Sequence, residues 1–179
     1  MRIRRLVFLV AFILAVIGVL STAAFCESDQ SEAERALGPQ WRQLSQRAGM
    51  VFAATVLSCP AQNTPRRTIA AQTVPAWSVR IDHAVPSIAL RFRVDRAIAG
   101  VEPGQILTIH EWIGAQSFYP PMRRGDRVLL FLYPPSRLGL TSPIGGLQGQ
   151  VQLDAAGRTS RGHVTVDELE RAIRSARGE

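Results

Sequence analysis

Ile88-Ala89-Leu90-Arg91-Phe92-Arg93-Val94-Asp95 is the stretch that decides the fold class. Ile88, Leu90, Phe92 and Val94 alternate with Ala89, Arg91, Arg93 and Asp95. Successive side chains of a strand point to opposite faces, so this run offers one apolar face to a core and one charged face to water. Working outward, Val128-Leu129-Leu130-Phe131-Leu132 is apolar without a break. That pattern predicts a central strand buried on both faces. Met50 to Ser58 reads the same way, with Phe52, Ala54 and Val56 on one side and Val51, Ala53, Thr55 and Leu57 on the other. Three strands of this kind make the chain mainly β.

The surrounding elements follow from their punctuation. Trp77, Val79 and Ile81 alternate with Ser78, Arg80 and Asp82, which predicts a half-buried strand paired as a hairpin with Ile88–Asp95. Gly100 to Gly104 is a turn cluster. Gln105 to Ile113 is a strand with two possible faces: either Leu107 and Ile109 point inward, or Ile106, Thr108 and Trp112 do. Pro134-Pro135 ends the Val128–Leu132 strand, and a Pro- and Gly-rich loop runs to Gly149. Gln150 to Asp154 is a short strand with Val151 and Leu153 inward. Asp154 to Gly157 is a tight turn into a return strand at Arg158-Thr159.

Helices flank this β region. Ser31 is read as the cap of a short helix through Ala36, stopped by Gly38-Pro39. Helical spacing resumes over Gln40 to Ala48, with Trp41, Leu44 and Ala48 on one face. At the other end, Thr165 and Glu168 form a capping box, with Val164 and Leu169 as a hydrophobic staple. Leu169, Ala172, Ile173 and Ala176 make the apolar stripe of this helix, and Arg171, Arg174 and Arg177 favour its dipole. It is expected to close one end of the β core. The resulting organisation is a leader over 1–26, a helical lead-in over 27–48, a β-barrel over 49–160 and a packed helix over 163–177.

The leader carries Arg2, Arg4 and Arg5, then the uninterrupted apolar run Leu6 to Leu20, then Ser21-Thr22-Ala23-Ala24. A charged start, an apolar core and a small-residue exit describe a secretory signal. Cleavage after Ala24 and cleavage after Cys26 are both open. So is retention as an anchor, since Leu6 to Phe25 has no charge and about 20 apolar residues span a bilayer. Lipidation of Cys26 is disfavoured by the bulky Phe25. The protein is therefore expected to be exported, to the periplasm or the medium, touching a membrane only through an uncleaved leader. All 21 basic residues are arginine, against 14 acidic ones. The leader's three leave 18 against 14, a mild positive charge suited to anionic surfaces. Export makes nucleic acid a poor partner.

Cys26 and Cys59 are the two cysteines. If Cys26 survives cleavage, an oxidising compartment favours a disulfide between them, worth about 2–4 kcal/mol. If it leaves with the leader, Cys59 is a lone thiol.

The order of elements suggests a small OB-type barrel. The strand Met50–Leu57, then Leu90-Arg91-Phe92-Arg93-Val94 leading to Ala97-Ile98-Ala99-Gly100, then Gln105 to His110 and Gly125-Asp126-Arg127-Val128-Leu129-Leu130-Phe131-Leu132, resembles the netrin-like (TIMP-like) module. It is also similar to uncharacterised exported bacterial proteins of the same spacing. The resemblance covers roughly Met50 to Leu132 and implies an OB-like barrel in a secreted protein, with inhibition of a co-exported protease as one function. Tissue inhibitors of metalloproteases place a free N-terminal cysteine directly ahead of the first strand. Here a polar helical stretch separates Cys26 from Met50, and the family's several disulfides are missing.

No residue set names a reaction. The histidines, His83, His110 and His163, have no second ligand at zinc-like spacing. His110 and Glu111 are adjacent, but on a strand they point to opposite faces. There is no G-x-S-x-G, P-loop or dinucleotide pattern. No catalytic, metal or cofactor residue is assigned. Candidate partner-binding residues are Phe118, Tyr119, Met122, Arg123 and Arg124 in one loop, with Tyr133, Arg137 and Leu138 at the mouth of another. Aromatic residues and arginine are enriched at protein interfaces, and loops on a rigid scaffold often carry binding. The sequence thus favours a non-catalytic exported module that binds a protein or envelope component. A TIMP-like inhibitor is the alternative, and a hydrolytic enzyme ranks last.

Overall fold

The computed structural model describes residues 30–59, 87–112 and 121–179. Residues 30–37 are helical (α1), followed by α2 (Trp41–Arg47), β1 (Met50–Ser58), β2 (Ser87–Ala99), β3 (Ile106–Trp112), β4 (Arg127–Leu132), a 3-10 turn (Gly146–Gly149), β5 (Gln150–Leu153) and α3 (Val166–Arg177). Ser31 lies within α1 rather than at its cap. The strand expected over Trp77–Asp82 lies outside the described residues. From Arg91 to Arg93, β2 has β1 on one edge and β3 on the other.

The strands form one antiparallel sheet in the order β3-β2-β1-β4-β5. The apolar runs over Met50–Ser58 and Val128–Leu132 accordingly take the centre, paired from Met50↔Leu132 to Thr55↔Arg127. The expected closed barrel is not formed: β3 and β5 are the two ends of an open sheet. Among the described residues, the edge of β3 instead takes one parallel bridge, His110↔Leu140, from the loop after β4. β2 is longer than its alternating pattern because it serves two partners, β3 over Ser87–Arg93 and β1 over Arg91–Ala99. Three register shifts along the β1–β2 ladder break the period of two, and such bulges bend a sheet.

Both faces of the sheet are apolar, and each builds a core. On one face Val51, Ala53, Ile98, Ala99, Leu129 and Phe131 meet Ala33 and Ala36 of α1, Trp41 and Leu44 of α2, and Leu169, Ala172 and Ile173 of α3. The other face carries Phe52, Ala54, Val56, Leu90, Phe92, Val94, Ile109, Val128, Leu130 and Leu132. Phe52 and Phe92 meet edge to face there, with centroids 6.2 Å apart. Each large side chain buried in this way contributes about 1.5–3 kcal/mol. The C-terminal helix therefore covers a face of the sheet rather than closing its end.

Local chemistry fixes the helices. The Thr165 side chain accepts the Glu168 N–H, and the Glu168 carboxylate accepts the Thr165 N–H at 2.8 Å. Arg177 donates to the carbonyls of Ser45 at 2.7 Å and Ala48 at 2.9 Å, satisfying the open end of α2. The glycines at the end of β1 are there for space. A Cβ on Gly49 would sit 2.7 Å from the Pro134 Cα, and one on Gly100 would sit 2.3 Å from the Gly49 carbonyl oxygen.

Candidate functional site

The residues singled out in the sequence do not converge. Met122 is buried in the second core and is not available to a partner. Arg123 and Arg124 are exposed in a turn that Asp126 ties down, its carboxylate accepting the Arg123 N–H at 2.7 Å. Tyr133 is half-buried against the helix-side core, and its carbonyl accepts the Thr141 hydroxyl at 2.6 Å. Arg137 and Leu138 are exposed in a tight turn, where the Gly139 N–H donates to the Ser136 carbonyl at 2.9 Å. Between the two loops lies the whole of β4. At about 3.3 Å per residue, six residues hold them roughly 17–20 Å apart. Phe118, Tyr119, His83 and Cys26 lie outside the described residues. Cys59 is a free thiol, partly buried beside the second core.

His110 and Glu111 do point apart: Glu111 is buried at 1% exposure, and His110 is half-exposed on the other face. His163 sits in a left-handed turn, exposed, at φ 52°. Among the described residues no three His, Cys, Asp or Glu side chains gather as a metal site. No described helix is long and apolar enough to cross a membrane.

One cleft, of about 280 Å³, opens between the start of α3 and the sheet, lined by Asp95, Arg96, Arg127, Gly157, Thr165 and Asp167 among others. Its charges are turned on one another. Arg96 reaches Glu170 at 2.5 Å and Asp167 at 3.2 Å. Burial alone would raise the Glu170 carboxyl, but hydrogen bonds and charge from Arg96 and Arg174 hold it below the ordinary glutamate range. Its bond to Glu170 in turn raises Arg96. Asp95 accepts from the Thr55 hydroxyl at 2.6 Å and from Arg93 at 3.1 Å, while Arg127 donates to the Ala155 carbonyl at 2.7 Å. The walls form a seam that fastens α3 to the sheet.

The surface with unspent binding capacity is the outer face of β3. With Leu107, Ile109 and Glu111 turned toward the second core, Ile106, Thr108, His110 and Trp112 share the opposite face. Ile106 is 57% and Trp112 52% exposed, among the largest apolar exposures on the described surface. Their cross-strand neighbours on β2 include Arg93, opposite Ile106, and Arg91, opposite Thr108, both exposed. Among the described residues, the helices cover the β1–β4 part of this side and do not reach the part where β2 pairs with β3. The sequence signal for this site was the unsettled facing of Gln105–Ile113: both sides of that strand are apolar, one for a core and one for the surface. No family model matches the chain, and no curated protein and no solved structure matches it.

Proposed function

We propose that the chain is an exported, non-catalytic binding module of the cell envelope or the extracellular space, and that the β2–β3 face holds its partner. The carrying observation is the pairing of exposed Ile106 and Trp112 with Arg91 and Arg93 on a rigid strand pair. Exposed apolar side chains bordered by arginine mark a docking surface better than scattered ones do. Export is supported by Arg2, Arg4, Arg5 and the apolar run Leu6–Leu20. The sheet reads as an OB-like barrel left open between β3 and β5, with the loop carrying Leu140 reaching part of the way across.

Capture from envelope extract tests the reading. Immobilised mature protein should retain a protein or envelope component that an Ile106→Ser, Trp112→Ala double variant releases. Equal retention by both forms would place binding elsewhere.

A further inference from the structure

We infer that β3 accepts an additional strand from an acidic, extended segment of a partner protein, laid along its outer edge between Ile106 and His110. This rests on the binding-module reading and names the chemistry of what is bound. The backbone supplies the first argument. In β3 the even-numbered residues turn their N–H and C=O groups away from β2, as the His110 carbonyl shows by accepting the Thr141 N–H at 2.9 Å. The parallel bridge His110↔Leu140 is thus one rung of a further strand, built by the chain's own loop and not continued. Beyond it, the outward groups of Ile106 and Thr108 have no partner among the described residues. Edge strands are ordinarily guarded by lysine, proline, a bulge or an inward-pointing charge, and the inward charge of β3, Glu111, lies beyond the His110 bridge. β3 reads Ile106-Leu107-Thr108-Ile109-His110-Glu111-Trp112, without lysine or proline, and pairs with β2 in unbroken register.

Side chains and charge select the occupant. A strand added at about 4.8 Å would set its side chains beside exposed Ile106 and Thr108. Arg91 stands behind short Thr108 and Arg93 behind Ile106, so acidic residues two apart on the added strand meet two guanidinium groups across β3. Arg93 is shared with Asp95 at 3.1 Å, whereas Arg91 has no carboxylate partner among the described residues. A second copy of the chain is the poorer occupant. Antiparallel pairing about Thr108 would bring the two Arg91 side chains toward each other, and like charges across an interface repel.

The test titrates the mature protein with two labelled peptides, one alternating valine with glutamate and one alternating valine with lysine. The glutamate peptide should bind at least about tenfold more tightly than the lysine peptide, with the preference weakened by salt. Arg91→Glu should reverse that preference, and with no partner to lose it should leave the fold intact. Thr108→Pro removes one outward N–H at a position where an edge strand tolerates proline, and should abolish binding. Equal affinity for both peptides, no binding of the glutamate peptide, or a concentration-dependent dimer dissolved by Thr108→Pro, which would make a second copy the occupant, would each overturn addition of an acidic partner strand. If in those cases the Ile106→Ser, Trp112→Ala variant still releases the envelope component, the binding-module reading stands while strand addition falls.

Discussion

Single residues carry more of the architecture than their chemistry suggests. Gly49 has ordinary backbone angles, yet the Pro134 backbone stands where its side chain would be. Gly49→Ala should cost about 1–3 kcal/mol through overpacking, read as a lowered denaturation midpoint. No pattern around Gly49 announces this, because the crowding comes from a segment 85 positions away. Thr165 is the opposite case. Its capping box is local, and it was legible from Thr165 and Glu168 alone. Thr165→Ala should cost about 1 kcal/mol, measurable by the same unfolding experiment. Glu170 adds a pH dependence. Its folded carboxyl is held below its ordinary value by Arg96 and Arg174, after opposing burial. The contribution is therefore complete above the ordinary value of 4.5 and is lost as pH falls below it through the depressed folded value. Glu170→Gln should flatten the acid limb of a stability–pH profile in that window, and an unchanged limb would mean that the seam between α3 and β2 contributes nothing.

At the scale of elements, legibility followed the reach of the interactions. β1 spans Met50–Ser58, as its two apolar faces imply, and β4 spans Arg127–Leu132 because no polar side chain interrupts it. β2 outran its alternating stretch: after Val94 the register shifts against β1 disrupt the period, so Arg96–Ala99 does not look like strand. β3 kept two candidate faces in the sequence because Ile106 and Trp112 are as apolar as Leu107 and Ile109. Burial separates them only once the β2 register is known. The sequence offered Arg123-Arg124 in one candidate loop and Arg137-Leu138 at the mouth of another. Loops that flank one strand lie at its opposite ends, a geometric consequence of β4 itself. Truncating the doubly buried strand should be severe: Leu130→Ala, at 0% exposure in the second core, should cost about 2–5 kcal/mol. The same change at exposed Leu138 should leave the unfolding midpoint nearly unmoved.

For the whole molecule, class was legible and closure was not. Alternation and double-faced apolar runs report which residues need burial, and they correctly yield a mainly β chain with a packed C-terminal helix. They do not report whether the outermost strands meet, since that depends on pairing between residues far apart in the chain. Here β3 and β5 stay apart, and the loop carrying Leu140 supplies one bridge in place of a seam. The open edge is the feature on which the proposed strand addition depends. The backbone of β3 reports on it directly, because alternate amides face β2 and the outside. Site-resolved amide hydrogen exchange on the protein should show slow exchange at Leu107 and Ile109, which face β2, and fast exchange at Thr108 and Ile106, which face outward. Uniform protection along β3 in the unliganded protein would mean that the edge is already paired, and would contradict an open sheet awaiting a partner strand.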